Sequence, residues 1–206
     1  VQKIAARLRK EYPDARCLLD HSNALELLVA TILSAQCTDE RVNKVTPELF
    51  RKYPTPQNFA ALRQEVLERD IRSTGFFRNK AKSIIAASKK IAQDFGGQVP
   101  RAMEEILTLP GVARKTANVV LGTAYGLPTG VVVDTHVFRI ARRLKISKQK
   151  TPEKVEQDLV RLVPQERWIA FGHQMIWFGR RICAARKPLC AECPIESTCD
   201  SPDKTI

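Results

Sequence analysis

Apolar positions recur at helical spacing along almost the whole chain. Leu25, Leu28, Val29, Ile32 and Leu33 fall at i, i+3, i+4, i+7 and i+8, one stripe of a helix that Asn23 or Ser22 can cap. Ala81, Ile84, Ile85, Ser88, Ile91, Ala92 and Phe95 make a second stripe, stopped by Gly96-Gly97. Pro100 suits the first position of a short helix ending near Leu109, after which Pro110-Gly111 breaks the chain. A helix over about 114–125 follows, and another opens at about Asp134. Thr151-Pro152 opens a helix marked by Val155, Leu159, Val160 and Leu162, and the stretch 168–182 is apolar enough for a buried helix. Only Val131-Val132-Val133 has strand character, and three residues between helices need not form a strand. No internal repeat or low-complexity linker interrupts the pattern, which predicts an all-α fold.

Composition adds a partner class to this picture. With 206 residues and 44% hydrophobic side chains, the chain can bury one large core or two small domains sharing one. Lys and Arg total 34 against 22 Asp and Glu, a net charge of +12. The positive residues are spread along the chain and not confined to a tail, which points to a polyanion, nucleic acid first. No segment reaches the ~18–20 apolar residues of a membrane span. The basic N-terminus, VQKIAARLRKEYP, has no initiating Met and no apolar signal-peptide core, so a trimmed chain is expected. The expected location is cytoplasmic and nucleoid-associated in a bacterium, nuclear or mitochondrial in a eukaryote.

The six cysteines are unevenly placed. Cys17 and Cys37 stand alone, while Cys183, Cys190, Cys193 and Cys199 crowd into one short segment with gaps of six, two and five residues. In an intracellular chain such crowding suggests metal more than disulfides. Tetrahedral zinc fits four thiolates, and spacing alone does not exclude it. Zinc folds usually pair two C-x2-C knuckles, however, and the wider gaps suit a larger body such as a cubane. Between the first two cysteines, Arg186 and Lys187 can meet a phosphate backbone.

The segment LTLPGVARKTANVVLG, 107–122, reads as a tight turn between two helices. Pro110 ends the first, and Gly111 permits a backbone conformation that other residues resist. Residues Ala113 and Arg114 lead directly into a helix N-terminus, whose outward N–H groups and positive dipole suit a phosphate. On Pro-Gly alone, an ordinary helix corner is the simpler reading. Lys115 falls in the first turn. An ordinary lysine is protonated at neutral pH and cannot attack, whereas a helix N-terminus, a neighbouring Arg114 and partial burial all favour the neutral amine. Asp134, in VVVDTHVFRIARRL, reads first as an N-cap, with His136 structural or phosphate-facing. Ser34-Ala35-Gln36-Cys37-Thr38-Asp39 reads as a helix C-terminal turn. In Thr74-Gly75-Phe76-Phe77-Arg78-Asn79-Lys80, Phe76 reads as a core anchor, and so does Phe77 beside it.

From about Leu25 to Cys199 these motifs, in this order, resemble the endonuclease III family of helix–hairpin–helix DNA glycosylases. Ala113 stands where that family usually has a second glycine. The resemblance implies two helical lobes with a DNA cleft between them. One would be a barrel over about 21–129 with its hairpin at about 101–125. The other would join 1–20 to 130–206 and carry the cluster loop, 183–199. Lys115 would attack the sugar C1′ and displace an oxidised pyrimidine, and a Schiff base and β-elimination would follow. Asp134 would be the catalytic carboxylate, facing Lys115 across the cleft. A carboxylate near a lysine favours the charged amine, so Asp134 is expected to stabilise charge developing on the sugar and to relay a proton. Gln36 and Phe76 would fill the space left by the extruded nucleotide. Gly111, Ala113, Arg114, His136, Arg186 and Lys187 would contact DNA. The four clustered cysteines would hold a [4Fe–4S] cluster. The expected partner is damaged double-stranded DNA, bound by a monomer. A monofunctional mismatch glycosylase for thymine or adenine, and a non-catalytic iron–sulfur DNA-binding protein, are the alternatives.

Overall fold

The computed structural model describes residues 1–205. Eleven α-helices follow in chain order: α1 (Gln2–Glu11), α2 (Ala24–Leu33), α3 (Asp39–Lys52), α4 (Pro56–Ala60), α5 (Gln64–Asp70), α6 (Phe77–Asp94), α7 (Met103–Ile106), α8 (Arg114–Tyr125), α9 (Thr135–Arg143), α10 (Pro152–Leu162) and α11 (Trp168–Arg181). Short 3-10 turns lie at 72–74, 165–167, 190–192 and 196–198, and no strand occurs among the described residues. The fold is all-α. It has two compact units, one of residues Leu18–Leu127 and one joining Val1–Cys17 to the chain from Pro128 onward.

In the 18–127 unit, α2 is the central helix. The pattern predicts a single stripe, but Leu27, Ala30 and Thr31 are buried as well. A helix apolar on nearly every side packs as a core element. Asn23 caps it, accepting from the Glu26 amide at 3.0 Å. Helix α2 packs on α8, and α4 and α5 pack on α6. Helix α6 begins at Phe77 and ends just before Gly96-Gly97, with Ile84 and Ile91 fully buried.

The predicted short helix after Pro100 is corrected. Only one turn forms, Met103–Ile106, because Ala102 remains extended (φ −93°, ψ 142°). That turn starts where Glu104 and Glu105 meet its positive end. It stops before Pro110 and continues as overlapping turns, Thr108 to Glu105 and Leu109 to Ile106. Phe77 is likewise not a core anchor: it is half-buried, with the guanidinium groups of Arg78 and Arg72 lying 5.4 and 6.0 Å from its ring centroid.

In the second unit, α1, α9, α10 and α11 enclose a core of Leu8, Val137, Ile140, Leu159, Phe171 and Phe178. Val131, Val132 and Val133 form no strand but a buried connector, against which Gly172 of α11 packs closely. Their apolarity reflects burial of this connector. Helix α11 meets α9 through Gly179. A β-carbon there would lie 2.7 Å from His136 Cβ and 2.9 Å from Ile140 Cδ1. Gly179→Ala is therefore expected to destabilise the protein by about 1–3 kcal/mol through overpacking. Thermal unfolding should show a midpoint lowered by about 2–10 °C; an unchanged midpoint would contradict this packing.

Candidate functional site

The hairpin turn is fixed by Gly111. Its φ is +79°, and a β-carbon at this position would lie 2.5 Å from Ser83 Cβ on α6. Backbone conformation and packing thus both exclude a side chain. Leu109 and Val112 anchor the turn from either side, 2% and 8% exposed, and the Val112 amide donates to the Leu109 carbonyl at 3.1 Å. Ala113 is the N-cap of α8 at φ −90°, a conformation open to any residue. The departure from a second glycine is therefore accommodated. No side chain caps α8, and its first turn holds no acidic residue. The positive end of the helix is open toward solvent beside the exposed Arg114 and Lys115. Partial burial of Lys115 is not found: it is exposed.

Gln36 and Phe76 sit in two loops of the same unit. Both are exposed, Phe76 at 63%, and both adopt left-handed backbone, φ 52° and 47°. Gln36 follows the end of α2, and Phe76 immediately precedes α6. The neighbouring Lys80 is 5% exposed, and its Nζ donates to the Leu33 carbonyl at 2.7 Å and the Thr74 carbonyl at 2.8 Å. Burial pulls its amine below the ordinary lysine range, and the nearby Cys37 works in the other direction.

Asp134 belongs to the other unit, where it is the N-cap of α9. Its Oδ1 accepts from the amides of His136 at 2.8 Å and Val137 at 2.9 Å. Asp134 is half-buried, as is His136. His136 Nδ1 accepts from Arg139 at 3.2 Å. Arg139 Nη2 also donates to the carbonyls of Gly179 at 2.9 Å and Cys183 at 2.7 Å. One turn on, Arg143 Nη1 donates to Cys183 Sγ at 3.3 Å and to the Ala184 carbonyl at 2.6 Å. These two arginines fasten α9 to the start of the cysteine loop. Sequence reasoning missed both, although their spacing of four places them on one helix face.

The four clustered cysteines form no disulfide, are partly buried, and line one pocket together with apolar side chains of Phe178, Leu189 and Ile195. Burial pushes the Cys183 thiol up, against the Arg143 hydrogen bond. Among the described residues, no three His, Cys, Asp or Glu side chains gather as ligands of a single metal ion. Ala185, Arg186 and Lys187 are exposed at the rim of this loop, and Lys187 has φ 49°. Lys80 was missed too; its signal was its position four residues before Ile84, on the buried stripe of α6.

Known proteins share this arrangement. Residues 29–165 match the family model described as HhH-GPD superfamily base excision DNA repair protein. Endonuclease III of Synechocystis sp. is 56% identical over 97% of this chain and 91% of that protein. Endonuclease III of Bacillus subtilis is 51% identical over 91% of this chain and 86% of that protein. A solved endonuclease III in non-covalent complex with DNA superposes with a TM-score of 0.93 at 46% identity, covering 97% of this chain and 93% of that one. A second, a trapped endonuclease III–DNA covalent intermediate in an estranged-adenine complex, gives 0.92 at 45% identity, covering 97% and 95%. The chain belongs to the HhH-GPD superfamily of base excision DNA repair proteins, in its endonuclease III family.

Proposed function

We propose that this protein is a bifunctional DNA N-glycosylase and abasic-site lyase that removes oxidised pyrimidines. The observation that carries this reading is an exposed lysine, Lys115, in the first turn of an uncapped helix that opens from a glycine-fixed hairpin. The covalent DNA complex of the related endonuclease III supports it. The open N–H groups of α8 hold a backbone phosphate, without regard to base sequence. The neutral Lys115 amine attacks C1′, the C1′–N bond to the base breaks, and the base departs as an anion that takes up a proton. The C1′–O4′ bond then breaks, O4′ takes up a proton, and the nitrogen lone pair forms a protonated Schiff base between Nζ and C1′. Removal of a C2′ proton then expels the 3′ phosphate and cuts the strand.

Asp134 spends Oδ1 on its helix cap, leaving Oδ2 to stabilise the positive charge that grows on the sugar. Gln36 and Phe76 fill the emptied stack, and the aromatic ring of Phe76 stacks on the estranged base. Arg186 and Lys187 meet the phosphate backbone. The protein acts as a monomer on double-stranded DNA, in the cytoplasm if its source is bacterial.

The four cysteines fit a [4Fe–4S] cluster. Their gaps of six, two and five residues, one shared pocket, and an arginine donating to Cys183 all favour thiolates around a body wider than one ion. When bound, the cluster would supply no step of the excision; it would pin the basic loop. Cys183, Cys190, Cys193 and Cys199 would be its ligands.

Three outcomes are expected. On thymine glycol and dihydrouracil duplexes the protein releases the base and cuts the strand, and Lys115→Gln lowers the rate by at least about a thousandfold, as loss of a nucleophile does. A Lys115→Gln variant that still excises and cuts at the parental rate would refute the assignment. Gly111→Ala weakens binding to abasic duplex about tenfold in fluorescence anisotropy, since forcing alanine into the left-handed region costs about 1–2 kcal/mol; undiminished binding would count against the hairpin as the phosphate site. Metal analysis of freshly purified protein gives about four irons per chain with acid-labile sulfide. Stoichiometric zinc without iron would overturn the cluster.

A further inference from the structure

We propose that Lys80 is the positioning residue for Gln36 and Phe76, holding the two loops that enter the DNA stack at a fixed separation. The proposal rests on the reading of those two side chains as stack fillers. Lys80 stands in the first turn of α6, where its amide donates to the Phe76 carbonyl at 3.2 Å. Its side chain turns inward and is 5% exposed. There the ammonium donates at 2.7 Å to the carbonyl of Leu33, the last residue of α2, and at 2.8 Å to that of Thr74, two residues before Phe76. One residue thus ties the end of α2, 47 positions before it in the chain, to the loop that precedes α6.

The chemistry of each contact fits. A cation at the C-terminal end of α2 meets the negative end of the helix dipole and an otherwise unpaired carbonyl. Burying an ammonium is costly unless hydrogen bonds replace its water, and here two carbonyls do so. What the arrangement secures is backbone geometry. Gln36 and Phe76 are non-glycine residues at φ 52° and 47°. Such conformations persist where the surroundings over-determine them. Gly75, at φ 70° with no atom near its missing side chain, gives the second loop no packing restraint of its own. Thr74 is tied instead from both sides: its hydroxyl donates to the Ile71 carbonyl at 2.8 Å, and its own carbonyl accepts from Lys80. The ammonium therefore sets where the Phe76 ring and the Gln36 amide project. An uncharged apolar side chain at position 80 would leave two buried carbonyls unpaired and both loops free to shift.

The test is single-turnover strand cleavage at an abasic site, placed in a duplex and in a single strand, with thermal unfolding as a control. Only the duplex has a stack to fill. Lys80→Met should slow duplex cleavage by about 10–100-fold and single-strand cleavage by less than about threefold, because a small misplacement of positioning groups is that costly. In a background with both Gln36→Ala and Phe76→Ala, Lys80→Met should add less than about threefold, as expected for residues acting as one unit. Lys80→Arg, which keeps the charge and donors, should lose about 3–10-fold on duplex alone. Should Lys80→Met not unfold cooperatively, Lys80→Arg is judged by the same two substrates. Parental rates on duplex, or equal losses on both DNAs, would overturn the proposal. Parental protein inert on both would remove the lyase reading, and this proposal with it.

Discussion

The contact of Gly111 with Ser83 is the constraint on which the rest of the site depends. At 2.5 Å from a notional β-carbon to Ser83 Cβ, the turn can lie this close to α6 only if residue 111 has no side chain. Its positive φ closes the same choice from the backbone side. This approach lets Leu109 and Val112 reach the core while Ala113, Arg114 and Lys115 face water. The first turn of α8 is left without a side-chain cap or acid, an arrangement that costs helix stability and suits an anion. Substrate phosphate would supply the missing partner. Helix α6 carries this support at Ser83 and, one turn earlier, Lys80 with its two carbonyls. One helix thereby sets both the hairpin and the loops bearing Gln36 and Phe76.

The other unit is organised around α9. Asp134 opens this helix, using one carboxylate oxygen for two amides. Arg139 and Arg143 hang from the same helix and satisfy the carbonyls of Gly179, Cys183 and Ala184. A side chain that caps carbonyls at the end of α11 fixes how the cysteine loop departs from it. Asp134 and Cys183 are therefore referred to one rigid element, with Gly179 allowing the close approach of α9 and α11. A charged donor to Cys183 Sγ also favours its thiolate, against the burial that pushes the thiol up.

Much of this was legible in the residues, and for particular reasons. The bounds of α8, the cap at Asp134 and the cap at Thr151 follow from local chemistry, because Gly, Pro, Asp and Thr act on their immediate neighbours. The helices α3, α4 and α5 carried weaker signals. Helix α3 has Pro47 in its interior, and α4 and α5 are too short for a stripe. The one-turn α7 was overextended because Pro100 mimics a helix start without being one. Lys80 was hidden by its type: a lysine beside a polar loop reads as solvated, although its place four residues before Ile84 puts it on the buried stripe of α6. The exposure of Lys115 was missed for the opposite reason, since chemistry argued for burial while the turn geometry points the residue outward.

In the proposed reaction one lysine of the hairpin, Lys115, forms the covalent link to the sugar. Incubation with a duplex containing one abasic site, reduction with borohydride, nuclease trimming and peptide mass spectrometry would locate that link. A single adduct on Lys115, with the mass of a reduced sugar fragment, is the predicted result. An adduct on any other amine, or none while the strand is still cut, would contradict the account.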